Sequence, residues 1–145
     1  MRWSSEQESA LTAVAEWLKT GDKPVFRLFG YAGTGKTTLA RHLAENVAGG
    51  TVFAAYTGKA AHVMRGKGCR GASTIHSLIY RMRGEDESGP TFVLNDDSAA
   101  GKAGLIIIDE CSMVDEEVGR DLLSFATPVL VLGDPAQLPP VAGGG

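Results

Sequence analysis

The sequence contains little cysteine and no long apolar segment. Its two cysteines, Cys69 and Cys111, lie far apart and form no CxxC pair, so neither a disulfide framework nor a cysteine-rich zinc site is expected. No segment approaches the ~20 apolar residues that a membrane-spanning helix needs. The start, MRWSSEQESA, has no hydrophobic signal region. These absences predict a cytoplasmic protein with reduced thiols and no membrane contact.

An excess of positive charge is also missing. The formal net charge is −3 at pH 7, so no global electrostatic attraction to nucleic acid is expected, and any such binding must come from local residues. The chain has 145 residues, of which 43% are hydrophobic and 21% charged. This size and composition are typical of one globular domain.

Apolar runs alternate with helical patterns along the chain. Runs typical of strands buried on both faces lie at residues 25–29, 51–55, 105–108 and 129–132. Amphipathic or capped segments predict a helix that starts near residue 5 and further helices over residues 36–47, 59–64, 74–79 and 115–125. This order predicts an α/β fold in which helices flank a mostly parallel sheet.

The segment GYAGTGKTT, residues 30–38, matches the phosphate-loop pattern G-x-x-x-x-G-K-[ST] between a predicted strand and a predicted helix. Glycine-rich backbone amides and the helix N-terminus together form a site for phosphate. We expect Lys36 to reach the β- and γ-phosphates, Thr37 to bind Mg²⁺ and Thr38 to lie near the α- and β-phosphates. The predicted nucleotide-binding residues in this loop are Gly30, Gly33, Thr34, Gly35, Lys36, Thr37 and Thr38.

Two acids follow the predicted strand at residues 105–108. Because parallel α/β sheets bind ligands at the carboxyl ends of their strands, Asp109 is the predicted metal ligand. Glu110 beside it can position and deprotonate a water directed at the γ-phosphate, which favours hydrolysis over transfer to another acceptor. The turn GDPAQLPP, residues 133–140, also follows a strand. Its Gln137 can donate to the γ-phosphate, or the turn can be a proline-stiffened connector.

The order of these segments resembles a known family. GYAGTGKTT, TGKAA (57–61), TIHSL (74–78), LIIIDECSMV (105–114) and GDPAQLPPV (133–141) resemble motifs I, Ia, Ib, II and III of superfamily 1 helicases. The branch they resemble is that of the 5′-to-3′ RecD- and Dda-like DNA helicases. The resemblance implies a P-loop NTPase with a RecA-like three-layer α/β/α fold, ATP and Mg²⁺ as cofactors, and a cytoplasmic location in a bacterial or phage-infected cell.

Roles follow from the resemblance residue by residue. Lys36, Glu110 and Gln137 correspond to catalytic positions, with Gln137 linking the γ-phosphate to the DNA track. Gln7 corresponds to the glutamine that reads adenine, although a surface glutamine in a first helical turn is the plain alternative. Thr57, Lys59 and His76 fall in segments that touch single-stranded DNA. By their chemistry alone, Lys59 could be a solvated charge and His76 an ordinary helix residue.

Residues 84–104 occupy the place where relatives insert a β-hairpin pin that splits the duplex. Residues 84–89 would be its tip, and residues 91–94 one strand that carries Phe92 as a base-stacking side chain. An acidic disordered connector is the alternative, because Glu85, Asp86 and Glu87 would repel phosphate.

The resemblance further implies that residues 1–145 are a single N-terminal RecA-like ATPase domain of a truncated parent. A second RecA-like domain, missing from this chain, would supply arginines to the ATP site. The predicted function is ATP hydrolysis that drives translocation on single-stranded DNA and unwinding in the intact parent. Two other functions remain open: a P-loop phosphotransferase, and a nucleotide-switched binding module without motor activity.

Overall fold

Helices and strands alternate through the computed structural model of the chain, which describes residues 5–21, 23–29, 36–45, 47, 49–109 and 116–133. The helices are α1 (Ser5–Thr20), α2 (Lys36–Ala44), α3 (Gly58–Gly66), α4 (Ile75–Ile79), α5 (Ala99–Lys102) and α6 (Glu116–Leu123). The strands are β1 (Val25–Phe29), β2 (Thr51–Ala55), β3 (Ser73–Thr74), β4 (Tyr80–Asp86), β5 (Gly89–Leu94), β6 (Leu105–Asp109) and β7 (Val129–Gly133).

Five strands form one sheet in the order β1-β7-β6-β2-β3, and every neighbouring pair is parallel. This arrangement confirms the predicted parallel central sheet. The four predicted strands are all present, while β3 is an additional strand of two residues that pairs with the end of β2. β7 lies between β1 and β6, although it follows all the other strands in the described part of the chain.

The sheet is covered on both faces, and β6 shows why its sequence is apolar throughout. Leu105 and Ile107 face one core, which contains the buried residues of α1, α2 and α3. Ile106 and Ile108 face the other core, which contains those of α4, α5 and α6. All four side chains are at most 5% exposed. Because both faces of the strand are covered, neither set of its alternating side chains is polar. The helices on the two faces and the sheet between them form three layers.

The first helix packs against β1 through the predicted apolar face. Val14 is fully buried, and the Trp17 ring lies 5.5 Å from the Phe26 ring between centroids. The indole N–H of Trp17 donates to the Lys23 carbonyl at 2.7 Å, which satisfies its polar atom. Gly21 adopts a positive φ of 65° directly after the helix, a conformation that glycine accepts without strain.

A separate two-stranded antiparallel hairpin, β4–β5, projects from the domain after α4. The sequence predicted a turn-rich segment at 84–104 with a strand at 91–94. The hairpin instead occupies residues 80–94, because β4 begins at Tyr80 directly after α4. Its turn lies at Glu87 and Ser88, and Gly89 takes a φ of 118°. Residues 95–104 form a turn and α5 rather than part of the hairpin.

None of the described helices combines the length and the apolar character that a bilayer-spanning helix requires. The apolar residues of the described chain lie mainly in the two cores. Large hydrophobic side chains that are exposed are Val63, Met82 and Phe92.

Truncation of a core side chain should cost far more than truncation of an exposed one. Leu130 is fully buried at the centre of the sheet, so Leu130→Ala should lower the free energy of unfolding by about 2–5 kcal/mol. Val63 on α3 is 45% exposed, so the control Val63→Ala should change it by less than about 0.5 kcal/mol. Urea unfolding measures both. Equal losses for the two variants would contradict the assignment of Leu130 to the core.

Candidate functional site

The carboxyl ends of the five parallel strands lie in one row. Phe29 of β1 is paired with Gly133 of β7, and Asp109 of β6 is paired with Leu132 of β7. Ala55 of β2 is paired with Asp109 on one side and with Thr74 of β3 on the other. The polar or glycine-containing part of each of the five motifs begins at or just after one of these ends. The register therefore brings the strand ends that lead into these parts to the same edge of the sheet.

The strand order places the end of β7, at Gly133, between the ends of the two strands that lead into the predicted phosphate-site segments. β7 separates β1, which precedes the phosphate loop, from β6, which ends in Asp109. Neighbouring strands lie about 4.8 Å apart, so the ends of β1 and β6 are separated by roughly 10 Å. Two strand ends at this separation are close enough to serve the same phosphate chain, and the end of β7 lies between them.

Asp109 lies on the face of the sheet that α2 covers. Leu105 and Ile107 belong to the same core as Ala40 and Leu43 of α2. Asp109 is two residues beyond Ile107, so the strand's alternation keeps it on that side. The side chain is half-buried at the sheet edge. This is the position that a carboxylate needs to meet a ligand held at the N-terminus of α2.

A single carboxylate at this edge is compatible with Mg²⁺. Among the described residues, no group of three or more histidine, cysteine or acidic side chains could form a protein-only metal site. Mg²⁺ is usually held by one or two carboxylates together with substrate phosphates and waters. Asp109, with Thr37 in the first turn of α2, supplies the donor types of such a shared site.

Several predicted site residues fall outside the described part of the chain. These are Gly30, Gly33, Thr34, Gly35, Glu110 and Gln137. Gln7 lies in the first turn of α1, and Lys36, Thr37 and Thr38 form the start of α2, as the phosphate-loop pattern requires. For these ten positions the assigned roles remain predictions.

Thr57 and Lys59 lie at the exposed start of α3, just beyond the end of β2. Thr57 is the N-cap of α3, and its hydroxyl oxygen accepts a hydrogen bond from the Ala60 N–H at 3.1 Å. The hydroxyl proton of Thr57 is not used by this cap, so it can donate to an oxygen of a ligand. Lys59 is exposed in the same turn. The start of α3 thus offers a hydroxyl donor, a cation and the positive end of a helix.

His76 lies in the neighbouring segment and is part of an aromatic cluster. Thr74 caps α4 by accepting from the Ser77 N–H at 3.1 Å, which fixes the start of the helix. The His76 ring lies 4.6 Å from the Tyr80 ring and 4.9 Å from the Phe92 ring, edge-on to the latter. His76 is exposed and Phe92 is 48% exposed. Two of the predicted DNA-contacting side chains therefore touch each other.

Sequence reasoning missed Tyr80 and Met82, which extend this cluster along the hairpin. Met82 is directly opposite Phe92 in the register and is 59% exposed. The alternation Tyr80-Arg81-Met82-Arg83 is the period-2 signal of a strand and could have revealed β4. The arginines alternate with the apolar residues, so the hairpin stem combines stacking surfaces with positive charge.

The thiol of Cys69, which lies near Arg41 and Asp109, is unreactive. The side chain is fully buried. Burial raises the pKa of the Cys69 thiol, Arg41 opposes that rise and the negative charge of Asp109 adds to it. A raised thiol pKa keeps the group protonated at neutral pH, and a protonated, buried thiol is a poor nucleophile.

A family comparison agrees with this geometry, because a model of the AAA domain family matches residues 2–145. The chain belongs to the AAA domain family. Among individual relatives of this AAA domain, it is 32% identical over 145 residues to the ATP-dependent DNA helicase Dda of Enterobacteria phage T4. That match covers 95% of this chain and 33% of Dda.

Solved structures of Pif1 helicases resemble this AAA domain in fold. The crystal structure of Pif1 from Bacteroides in complex with ADP-AlF3 and ssDNA is 28% identical, with a TM-score of 0.65, over 98% of this chain and 34% of that one. A structure that describes unwinding of forked dsDNA by two coordinating Pif1 helicases gives the same identity and TM-score, over 98% and 36%. The chain thus spans about a third of the length of its relatives. These matches confirm the RecA-like P-loop NTPase fold and the resemblance to superfamily 1 helicases.

The tip of the hairpin should respond to acid. Burial of charge plays little part there; instead the Ser88 hydroxyl and N–H donate to the Asp86 carboxylate at 2.6 and 2.9 Å and hold the pKa of Asp86 below its ordinary value of 3.8. Since the folded pKa is the lower one, the turn is stabilised above the unfolded pKa and loses this stabilisation as pH falls through the folded pKa.

Ser88→Ala removes the stronger donor, so the pKa of Asp86 should rise toward its ordinary value. A titration followed by NMR measures this, with Ser9→Ala on the exposed side of α1 as the control that should leave Asp86 unchanged. An unchanged pKa of Asp86 in Ser88→Ala would mean that the turn does not depend on this bond.

Proposed function

We propose that the chain is the ATP-binding first motor domain of an ATP-dependent DNA helicase, which hydrolyses ATP to move along single-stranded DNA and to unwind duplex. The observation that carries the proposal is the common row of strand ends. The ends at Phe29, Asp109 and Gly133 lead into the segments that would face the nucleotide, and those at Ala55 and Thr74 lead into the segments that would face DNA. The same edge of the sheet therefore carries both the phosphate site and the surface that binds single-stranded DNA.

ATP would lie over the N-terminus of α2. Backbone amides of residues 30–35 would close around the β-phosphate, and the Lys36 ammonium would stabilise negative charge on the β- and γ-phosphate oxygens. Glu110 would orient a water and accept its proton as the water attacks the γ-phosphorus. Gln137, on the turn between the two, would donate to the γ-phosphate and lose that contact when phosphate leaves. Gln7 would read the adenine edge.

Asp109 and the Thr37 hydroxyl would hold Mg²⁺, which when bound neutralises charge on the phosphates. Thr38 would add a hydroxyl near the α- and β-phosphates. The described geometry supports this assignment, since Asp109 lies on the α2 side of the sheet. The strand thereby holds the carboxylate at the edge of the sheet, on the side of α2.

Single-stranded DNA would run across the starts of α3 and α4. Lys59 would pair with a phosphate, the Thr57 hydroxyl would donate to another oxygen, and His76 would stack or hydrogen-bond. Phe92 would stack on a base at the junction, with the hairpin acting as the pin that separates the strands. Support comes from the exposed aromatic surface that His76 and Phe92 share.

The relatives point to the same chemistry. One similar structure contains Pif1 with ADP-AlF3 and ssDNA, and Dda is named an ATP-dependent DNA helicase. We propose that residues 1–145 form one RecA-like ATPase domain, and that a second RecA-like domain completes the ATP site with an arginine. Such an arginine is worth about 10³–10⁵ in rate in other NTPases. The phage relative favours action in the cytoplasm of a bacterial or phage-infected cell.

The decisive variant is Lys36→Ala in the full-length protein. Loss of the ammonium removes stabilisation of developing phosphate charge, so ATP hydrolysis stimulated by single-stranded DNA should fall about 10²–10³-fold. Lys102→Ala is the matched control, because Lys102 is exposed on α5 and away from the sheet edge. Phosphate release is measured with and without single-stranded DNA for each variant.

Three outcomes separate the possible functions. DNA stimulation that is lost only in Lys36→Ala supports the motor. Transfer of the phosphate to an acceptor other than water would identify a phosphotransferase instead. Equal rates in wild type and Lys36→Ala, with and without DNA, would contradict the motor function.

A further inference from the structure

The junction between α4 and the hairpin contains no linker. α4 ends at Ile79 and β4 begins at Tyr80, whose N–H caps the helix by donating to the His76 carbonyl. The second strand returns to the same point, where the Asn95 N–H donates to the Ile79 carbonyl at 2.7 Å. Ile79 itself is fully buried. The direction in which the hairpin projects is therefore set at Tyr80, next to a rigid base.

Tyr80 is tied to α6 by its hydroxyl, which donates to the Asp121 carboxylate. Both residues are partly buried, so the hydrogen bond is partly shielded from competing water. The contact joins positions far apart in the sequence. α6 also packs against α4, since Leu122 shares a core with Ile75 and Ile79.

α6 lies in the chain between the two strands whose ends flank the predicted hydrolysis site. A short segment before it leads back to Asp109 of β6, and β7 after it leads to Gly133. β6 and β7 are neighbours in the sheet. A shift of the segments at the sheet edge during the nucleotide cycle would thus be passed to α6, and through Asp121 to the base of the hairpin.

We infer that the hydrogen bond between Tyr80 and Asp121 couples the nucleotide edge to the hairpin, so that both are positioning residues for strand separation. This inference rests on the proposed helicase function. The Tyr80 ring also contacts His76 of the predicted DNA surface, and Tyr80→Phe keeps that ring while removing the hydroxyl. Removal of the bond should lower the number of base pairs opened for each ATP hydrolysed.

The test uses the full-length protein with Tyr80→Phe, Asp121→Asn and the double variant. The readout is the number of base pairs opened on a forked duplex per ATP hydrolysed, a ratio that is independent of the fraction of folded protein. Each single variant should lower this ratio about fivefold or more, a typical size for coupling between sites. The double variant should match the single ones, because both changes remove the same bond. Asp97→Asn, on the exposed turn after the hairpin, is the matched control.

The outcomes distinguish the inference from the function on which it rests. A wild-type ratio in Tyr80→Phe and Asp121→Asn, with wild type active, would overturn the coupling and leave the helicase function standing. Losses that add in the double variant would also overturn it, since the two residues would then act separately. A wild-type protein that hydrolyses ATP without opening duplex would remove the helicase function and the coupling together.

Discussion

The parallel register of five short strands is the constraint on which the rest of the structure depends. All five strands run in the same direction, so their carboxyl ends lie at the same edge of the sheet. Ala55 pairs with both Asp109 and Thr74, so the carboxyl ends of neighbouring strands agree in register to within a residue or two. Two covered faces hold that register, since a one-residue slip would exchange the contents of the two cores.

The edge has two halves with different chemistry. On one side lie the ends of β1, β7 and β6, with Asp109 as the described acid. On the other side, Thr57 and Thr74 cap α3 and α4 and so fix where the exposed residues Lys59 and His76 project. The hairpin is attached to the second half at Tyr80. The two halves belong to one parallel sheet, so the proposed phosphate site and the proposed DNA surface share the same set of strand ends.

Much of the fold was predictable because its signals are local. The apolar runs at β1, β2, β6 and β7 need no context to be recognised, and the phosphate-loop pattern located the start of α2. β3 was missed because two residues carry no period, and it exists only by pairing with β2. β4 was missed because its first residues follow α4 without a break, and Tyr80 reads equally well as the end of a helix. The contact of His76 with Phe92 and the bond from Tyr80 to Asp121 join distant positions, which no local pattern specifies.

The most direct measurement of the central claim is paramagnetic broadening of backbone amides by Mn²⁺ bound with a non-hydrolysable ATP analogue. The carboxyl ends of β2 and β6, at Ala55 and Asp109, should broaden strongly. The opposite ends of the same strands, at Thr51 and Leu105, lie about 13 Å farther along and should broaden much less. Mn²⁺ without the nucleotide is the control. Broadening that is equal at both ends, or stronger at Thr51 and Leu105, would contradict a nucleotide site at the carboxyl edge of the sheet.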